Sequence, residues 1–171
     1  MTLHVRPAGA ADAPAIRAVH LAAFPTAQEA DLVERLEADG DAVLSLVAEE
    51  ARARKEILGH LMLSRMRVTG NFGLFRALGL GPIGVLPDRQ RSGLGSALIV
   101  EALAMARAGG EELIFVLGEP AFYRRFGFSA EAAAPFESPY AGPYLMALPL
   151  TGRALPSAGR ADYAPAFASL E

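Results

Sequence analysis

The sequence contains no cysteine. Disulfides, thiolate-bound metals and a cysteine nucleophile are thereby excluded. It also has no surplus of positive charge. Its 16 Lys and Arg are set against 19 Asp and Glu, for a net charge of −3, so no whole-chain footprint for nucleic acid is present. The densest basic run, "RARK" at 52–55, falls between two strand-like segments and reads as a solvated hairpin tip. No uninterrupted apolar run reaches the roughly 18 residues that a membrane helix requires. The opening segment "MTLHVRPAGAADAPAIR" has no charged stretch leading into a long apolar core, so it does not read as a signal peptide. No His/Asp/Glu cluster shows metal-ligand spacing. The expectation is a soluble cytoplasmic protein with no bound metal, no membrane partner and no nucleic-acid partner.

What is present is a globular composition, 52% apolar and 20% charged, over 171 residues. That length suits one domain with a sizeable core. "LHVRPA" alternates like a short strand. Asp12 stands where it can cap a helix over "APAIRAVHLAAF", with Pro14 in its first turn and Ile16, Val19 and Phe24 as apolar positions. "TAQE", Thr26 to Glu29, has the pattern of a capping box for a second helix with Leu32, Val33 and Leu36 buried. "AVLSLVAEE" and "EILGHLMLSRMRV" read as a long hairpin, and "LFRALGLGPIGVLP" as a third strand whose Pro82 and glycines mark a bulge or a close backbone approach. A helix opening near Gly93, a buried strand "ELIFVLG", a short helix in "PAFYRRFGF" and the strands "PYLMALPL" and "GRADYAP" follow. The order predicts a mixed α/β fold with helices on a sheet, not a doubly wound parallel sheet.

The stretch "QRSGLGSALI", Gln90 to Ile99, is a glycine turn running into a helical pattern. Helix N-termini expose N–H groups without intrahelical partners, the helix dipole adds positive character, and glycine lets the backbone approach an anion. Gly93 and Gly95 therefore form a candidate phosphate cradle, or a turn that needs glycine for geometry alone. A P-loop is excluded, because Ser96 and Ala97 follow Gly95 where Lys is required. A dinucleotide fingerprint needs a small residue where Leu98 stands and an early position in the chain. Glu111 and Glu112 do lie within range of its ribose carboxylate.

With Val85 and Pro87 before it, "GVLPDRQRSGLGSALI" resembles the signature of the GCN5-related N-acetyltransferase (GNAT) superfamily, matched here at Val85, Pro87, Gln90, Gly93 and Gly95. "FYRRFGF" resembles the later Y-x-x-x-G-F element, at Tyr123, Gly127 and Phe128. The phrasing "VLGEPAFYRRFGF" is similar to a YhbS-like subgroup of small bacterial acetyltransferases. The resemblance implies the GNAT fold: a central, mostly antiparallel twisted sheet with a V-shaped splay, flanked by helices. It implies a single N-acetyltransferase domain over 1–171, with 150–171 an extension of the sheet, acting as a monomer or homodimer.

It further implies direct acetyl transfer from acetyl-CoA to a primary amine. Backbone near Ile83, Gly84 and Val85 would pair with the pantetheine arm. The turn formed by Gln90, Arg91, Ser92, Gly93, Leu94, Gly95 and Ser96 would bind coenzyme A, its N–H groups from Arg91 to Ser96 holding the pyrophosphate. The Arg91 guanidinium would add charge or remain solvated. By the same resemblance Tyr123 is the general acid to the departing thiolate; read without it, Tyr123 is a core residue beside Phe122 and Phe126. Where some members carry a glutamate on the strand before the turn, this sequence has Gly79. Glu119 is then a candidate base or a helix-start acid, and Glu29 a candidate facing the acceptor or part of the capping box. His20 and His60 read as packed or surface residues. Tyr140, Tyr144 and the segment 136–139 line an acceptor pocket or pack. The alternative function is a non-catalytic acyl-CoA-binding regulatory domain of the same fold.

Overall fold

The computed structural model describes residues 2–52 and 56–170. Among these residues eight strands form one open, mostly antiparallel sheet in the order β1-β2-β3-β4-β5-β7, with β8 paired to β3 and to β6. The chain packs as two compact units. The first comprises Met1–Leu63, Gly81–Ala104 and Pro165–Glu171; the second comprises Ser64–Leu80 and Met105–Ala164. The hairpin tip expected at 52–55 lies, beyond Arg52, outside the described residues.

In the first unit β1 (Leu3–Pro7) pairs antiparallel with β2 (Ala42–Glu50), from Leu3 opposite Glu50 to Pro7 opposite Leu46. Helices α1 (Ala13–Ala23) and α2 (Gln28–Ala38) bury the stripes expected of them: Ile16 and Val19 on one, Leu32, Val33 and Leu36 on the other. Each such aliphatic side chain contributes about 1.5–3 kcal/mol when fully buried. Two local expectations are corrected. Phe24 lies just past the end of α1, where its N–H caps the His20 carbonyl (3.1 Å). The capping box at Thr26–Glu29 does not form: α2 starts at Gln28 with Ala27 as its N-cap, and no side chain caps it. Asp12 does stand at the N-cap of α1. Its carboxylate instead accepts from Gly9 N–H (2.7 Å) and from the Arg6 guanidinium (2.8 and 3.0 Å).

Strand β3 (Ile57–Gly70) begins in this unit, and β4 (Gly73–Val85) ends in it. At Gly59 an added Cβ would stand 2.9 Å from Leu94 and 3.2 Å from Leu98 of α3 (Leu94–Ala108). The absence of a side chain there lets α3 lie directly on the strand.

The second unit holds β5 (Leu113–Leu117), which pairs parallel with β4 from Ala77–Leu113 to Leu80–Val116 and antiparallel with β7 (Leu145–Pro149). Strand β4 continues five residues past that pairing, through Gly81–Val85. Strand β8 (Gly159–Asp162) pairs with the end of β3, and β6 (Phe136–Glu137) pairs with β8. Phe115 and Phe75 both pack edge-on against Phe136 (5.3 and 6.1 Å between centroids) at the centre of this core. Helix α4 (Pro120–Tyr123) starts with proline in its first position. The 3₁₀ turn after it ends at Gly127, whose φ of +99° requires glycine. Helix α5 (Ala130–Ala133), capped by the Ser129 hydroxyl, was not foreseen from the sequence.

Candidate functional site

In the first unit β4 leads into the glycine turn. Gly84 is buried, and its neighbours Ile83 and Val85 are half-buried. Leu86 N–H donates to the Leu58 carbonyl (2.9 Å), which holds the strand end against β3. A 3₁₀ turn, Pro87–Arg89, reverses the chain. The Gln90 side-chain amide then reaches back to the Val85 carbonyl (3.2 Å), and the Ser92 hydroxyl donates to the Arg89 carbonyl. These two side chains tie the turn to itself. Arg91 (φ +63°) and Gly93 (φ +84°) both occupy the left-handed region. Left-handed residues in a turn are the backbone conformation from which anion-binding concavities of successive N–H groups are built.

Helix α3 starts at Leu94, and its first i→i−4 bond runs from Ala97 N–H to the Gly93 carbonyl (3.0 Å). The N–H groups of Gly93, Leu94 and Gly95 therefore have no carbonyl within the helix. Behind them stands the dipole of a 15-residue helix. The Leu94 side chain is buried and serves as an anchor, while Arg91, Ser92 and Gly93 are exposed and Ser96 is half-buried. The Arg91 guanidinium forms no ion pair or hydrogen bond with a described residue. A Cβ on Gly95 would lie 4.0 Å from both Ile83 and Val85, so the helix mouth rests on the two β4 side chains that flank Gly84.

The opposite face of Gly84 carries a feature the sequence reading missed. His20, in the last turn of α1, is fully buried, and its Nε2 lies 2.8 Å from Nδ1 of fully buried His60 on β3. His60 Nε2 lies 2.8 Å from the Ser45 hydroxyl on β2. The His20 ring also stacks on Phe24 (5.9 Å, 13°). Burial pushes His20 down to about 4; burial and the neighbouring His20 push His60 down to about 3. Both are neutral at pH 7. The expectation that these histidines pack holds for each singly, but nothing in the sequence pairs residues 40 positions apart. Glu29, freed from the expected cap, has one carboxylate oxygen buried without a hydrogen-bond partner among the described residues.

In the second unit Tyr123 ends α4. It is 8% exposed and packs edge-on against Phe122 and Phe128 (5.0 and 5.9 Å). A Cβ on Gly118 would stand 2.5 Å from Cε2 of its ring, so the glycine between β5 and α4 admits the tyrosine. Burial pushes the phenol up to about 12, and it stays protonated at neutral pH. Glu119 is the exposed N-cap residue of α4; its side chain makes no cap, and its carbonyl accepts from Phe122 and Tyr123 N–H.

At Gly79 the structure leaves no room for a carboxylate. A Cβ there would lie 2.6 and 2.7 Å from Cε1 and Cδ1 of Tyr163, which occupies the side-chain space. Glu111 and Glu112 are likewise committed. Buried Glu111 pairs with Arg65 (2.6 and 3.0 Å), and Glu112 accepts from Arg76 N–H (2.9 Å) and Arg153 (3.0 Å). Neither is available to a ribose, which agrees with rejection of the dinucleotide motif. Phe136 belongs to the core, Tyr140 packs against Tyr163, and Tyr144 is exposed.

The model of the acetyltransferase (GNAT) domain family matches residues 4–130. The chain belongs to this family. It is 35% identical over 135 residues to the uncharacterized N-acetyltransferase YjhQ of Escherichia coli (strain K12), covering 78% of this chain and 71% of that protein. Among solved structures it is similar to the E. coli GNAT family N-acetyltransferase YhbS in complex with CoA. That match has a TM-score of 0.88 and 27% identity, over 99% of this chain and 93% of the other. It is also similar to a GNAT family acetyltransferase from Brucella melitensis in complex with acetyl-CoA, with a TM-score of 0.78 and 34% identity, over 97% and 98% of the two chains. The GNAT fold expected from the two motifs is thus observed. Among the described residues no helix is long and apolar enough to cross a membrane.

Proposed function

We propose that this chain transfers an acetyl group from acetyl-CoA directly to the primary amine of an acceptor. The observation that carries the reading is the turn from Arg91 to Ser96. Its two left-handed residues and the open mouth of α3 suit a pyrophosphate. The complexes of the YhbS protein with CoA and of the Brucella protein with acetyl-CoA support it. In this reading the backbone of Ile83, Gly84 and Val85 pairs with the pantetheine arm. The amine nitrogen attacks the thioester carbonyl, a C–N bond forms, and collapse of the tetrahedral intermediate breaks the C–S bond. Tyr123 gives its phenolic proton to the departing sulfur and regains one from water. Burial supports that role, because it keeps the phenol protonated. Glu119, exposed at the head of α4, takes up the proton that the amine loses.

Tyr123→Phe keeps the ring packing and removes the donor. It should bind CoA as the wild type does and lose about 10²–10⁴ in kcat. Full turnover by a folded Tyr123→Phe variant at every pH removes the assignment. Glu119→Gln with an unchanged pH–rate profile removes the second role. The occupation of the Gly79 face by Tyr163 favours one other reading, an acyl-CoA-binding regulatory domain without turnover. Thermal melting separates both from a protein that does not bind: CoA at 100 times its Kd should add about 2.7 kcal/mol of stability. Thiol release in an amine screen, with a mass gain of one acetyl group on the acceptor, then separates enzyme from binder.

A further inference from the structure

The contacts of Ser45, His60 and His20 can be satisfied by two proton arrangements. If Ser45 donates to His60 Nε2, then His60 donates from Nδ1 to His20, and the His20 proton sits on Nδ1. That atom is buried and has no hydrogen-bond partner among the described residues. If instead His20 donates from Nε2, then His60 donates to Ser45, and His20 Nδ1 is left as a bare lone pair. Orphaned buried N–H groups are rarer in native proteins than unmet acceptors. A lone pair also gains a weak contact with the Cα–H of Gly84, the residue it faces. The second arrangement therefore prevails. Ser45 accepts rather than donates, so the trio is not an activated serine nucleophile despite its spacing. It is a rigid polar strut whose free end rests on Gly84.

The fit at that end is close. A Cβ on Gly84 would stand 2.9 Å from His20 Nδ1 and 3.1 Å from Cε1, with Phe24 at 3.5 Å. The imidazole fills the space a side chain on Gly84 would need. The two neighbours of Gly84, Ile83 and Val85, are also the residues on which Gly95 at the mouth of α3 rests. We propose that His20 is a positioning residue for acetyl-CoA: locked by His60 and Ser45, it fixes the backbone of Ile83–Val85 in the register that receives the pantetheine arm, and residue 84 is glycine to admit it. The inference rests on the reading of that segment as the pantetheine strand.

The test compares the full-length wild type with Gly84→Ala, His20→Ala, the double variant, His20→Gln and His20→Leu. It measures Kd for CoA by calorimetry, and KM for acetyl-CoA against kcat at saturation. Gly84→Ala should raise Kd and KM about tenfold while kcat at saturation stays within about twofold, the signature of lost uniform binding. His20→Ala should raise KM by less than Gly84→Ala does, and the double variant should recover to the level of His20→Ala, because removing the imidazole makes room for the new methyl group but also removes the strut. His20→Gln keeps a donor to His60 and should match the wild type, whereas His20→Leu should show the raised KM. Unchanged binding in Gly84→Ala overturns the proposal, as does a double variant no better than Gly84→Ala alone. If Gly84→Ala does not fold, equal Kd in His20→Gln and His20→Leu overturns it instead. A wild type that shows no binding of CoA refutes the underlying reading, a result distinct from equal binding by all variants.

Discussion

Gly79 and Gly84 lie five positions apart on β4, and each carries, in place of its own side chain, a ring from another element. At Gly79, in the second unit, the ring is Tyr163, from just past β8; at Gly84, in the first, it is His20 from α1. The two contacts differ in chemistry. Tyr163 is part of an aromatic cluster with Tyr140 (5.6 Å) and closes the face of the strand. His20 ends a hydrogen-bonded chain and presents a polar atom to the strand. An aromatic lid excludes alternatives, here any carboxylate at position 79. A polar strut fixes a position. A glycine in a strand thus has no single meaning; what fills its empty side decides.

The largest effect that can break this comparison comes from Gly79→Glu. The new side chain must displace the Tyr163 ring and bury a carboxylate. The expected cost is about 4 kcal/mol or more, from overpacking combined with an unpaired buried charge. Urea denaturation measures it. A Gly79→Glu protein as stable as the wild type would show that Tyr163 is a loose cover and that the glutamate is absent for some other reason.

The two rings should also separate by pH. His20 and His60 are held well below their unfolded value of about 6.5. Below that pH the unfolded chain binds protons that the folded chain refuses, so stability falls as pH drops from 6.5 toward 4. His20 alone accounts for about 3 kcal/mol of that loss. His20→Gln with His60→Gln should flatten this limb and leave the lower one, in which Asp12, held near 2 by the Arg6 guanidinium, loses its contribution only below about pH 4. Tyr163 is displaced the other way, raised by burial, and Tyr123 is pushed up to about 12 for the same reason. Above pH 10 the unfolded chain loses these protons first, so stability falls as pH rises. Tyr163→Phe should reduce the alkaline loss and leave the acid limb untouched. A single midpoint scan in urea against pH tests both arms, and an acid limb that survives the double histidine replacement would refute the assignment.

The sequence made the glycine turn legible because a turn at a helix start is a local object. Gly93, Gly95 and the helix start lie within a few residues, and the excluded alternatives differ at adjacent positions such as Ser96 and Leu98. Strand and helix order was legible for the same reason: β4, α3 and β5 each announce themselves through their own periodicity. The contacts that give the site its detail are not local. His20 meets His60 across 40 residues, and Tyr163 meets Gly79 across 84. Each residue alone has an ordinary interpretation as packed, and only the fold brings the partners together. Helix α5 and strand β6, four and two residues long, are too short to carry a periodic signal. The capping box misled for the opposite reason. Its pattern is strong, but α2 begins at Gln28 with Ala27 as its N-cap, one residue later than the pattern requires, so Thr26 stands outside the helix.

That last difference gives the smallest effect and the finest division between the units. The end of α1, whose last turn holds His20, and the start of α2 lack side-chain caps, so their geometry rests on buried contacts such as the His20–His60 pair. Among the described residues the Thr26 hydroxyl meets only the Gln28 N–H, at 3.4 Å and exposed. In the second unit the Ser129 hydroxyl caps α5 by accepting from Ala132 N–H at 3.1 Å. Ser129→Ala should cost about 1 kcal/mol, and Thr26→Ala less than about 0.5 kcal/mol, although the sequence pattern favours Thr26 as the cap. Equal losses for the two variants, read from urea midpoints at unchanged slope, would mean that a cap at Thr26 forms in solution and that packing around His20 is not what sets the entry of α2.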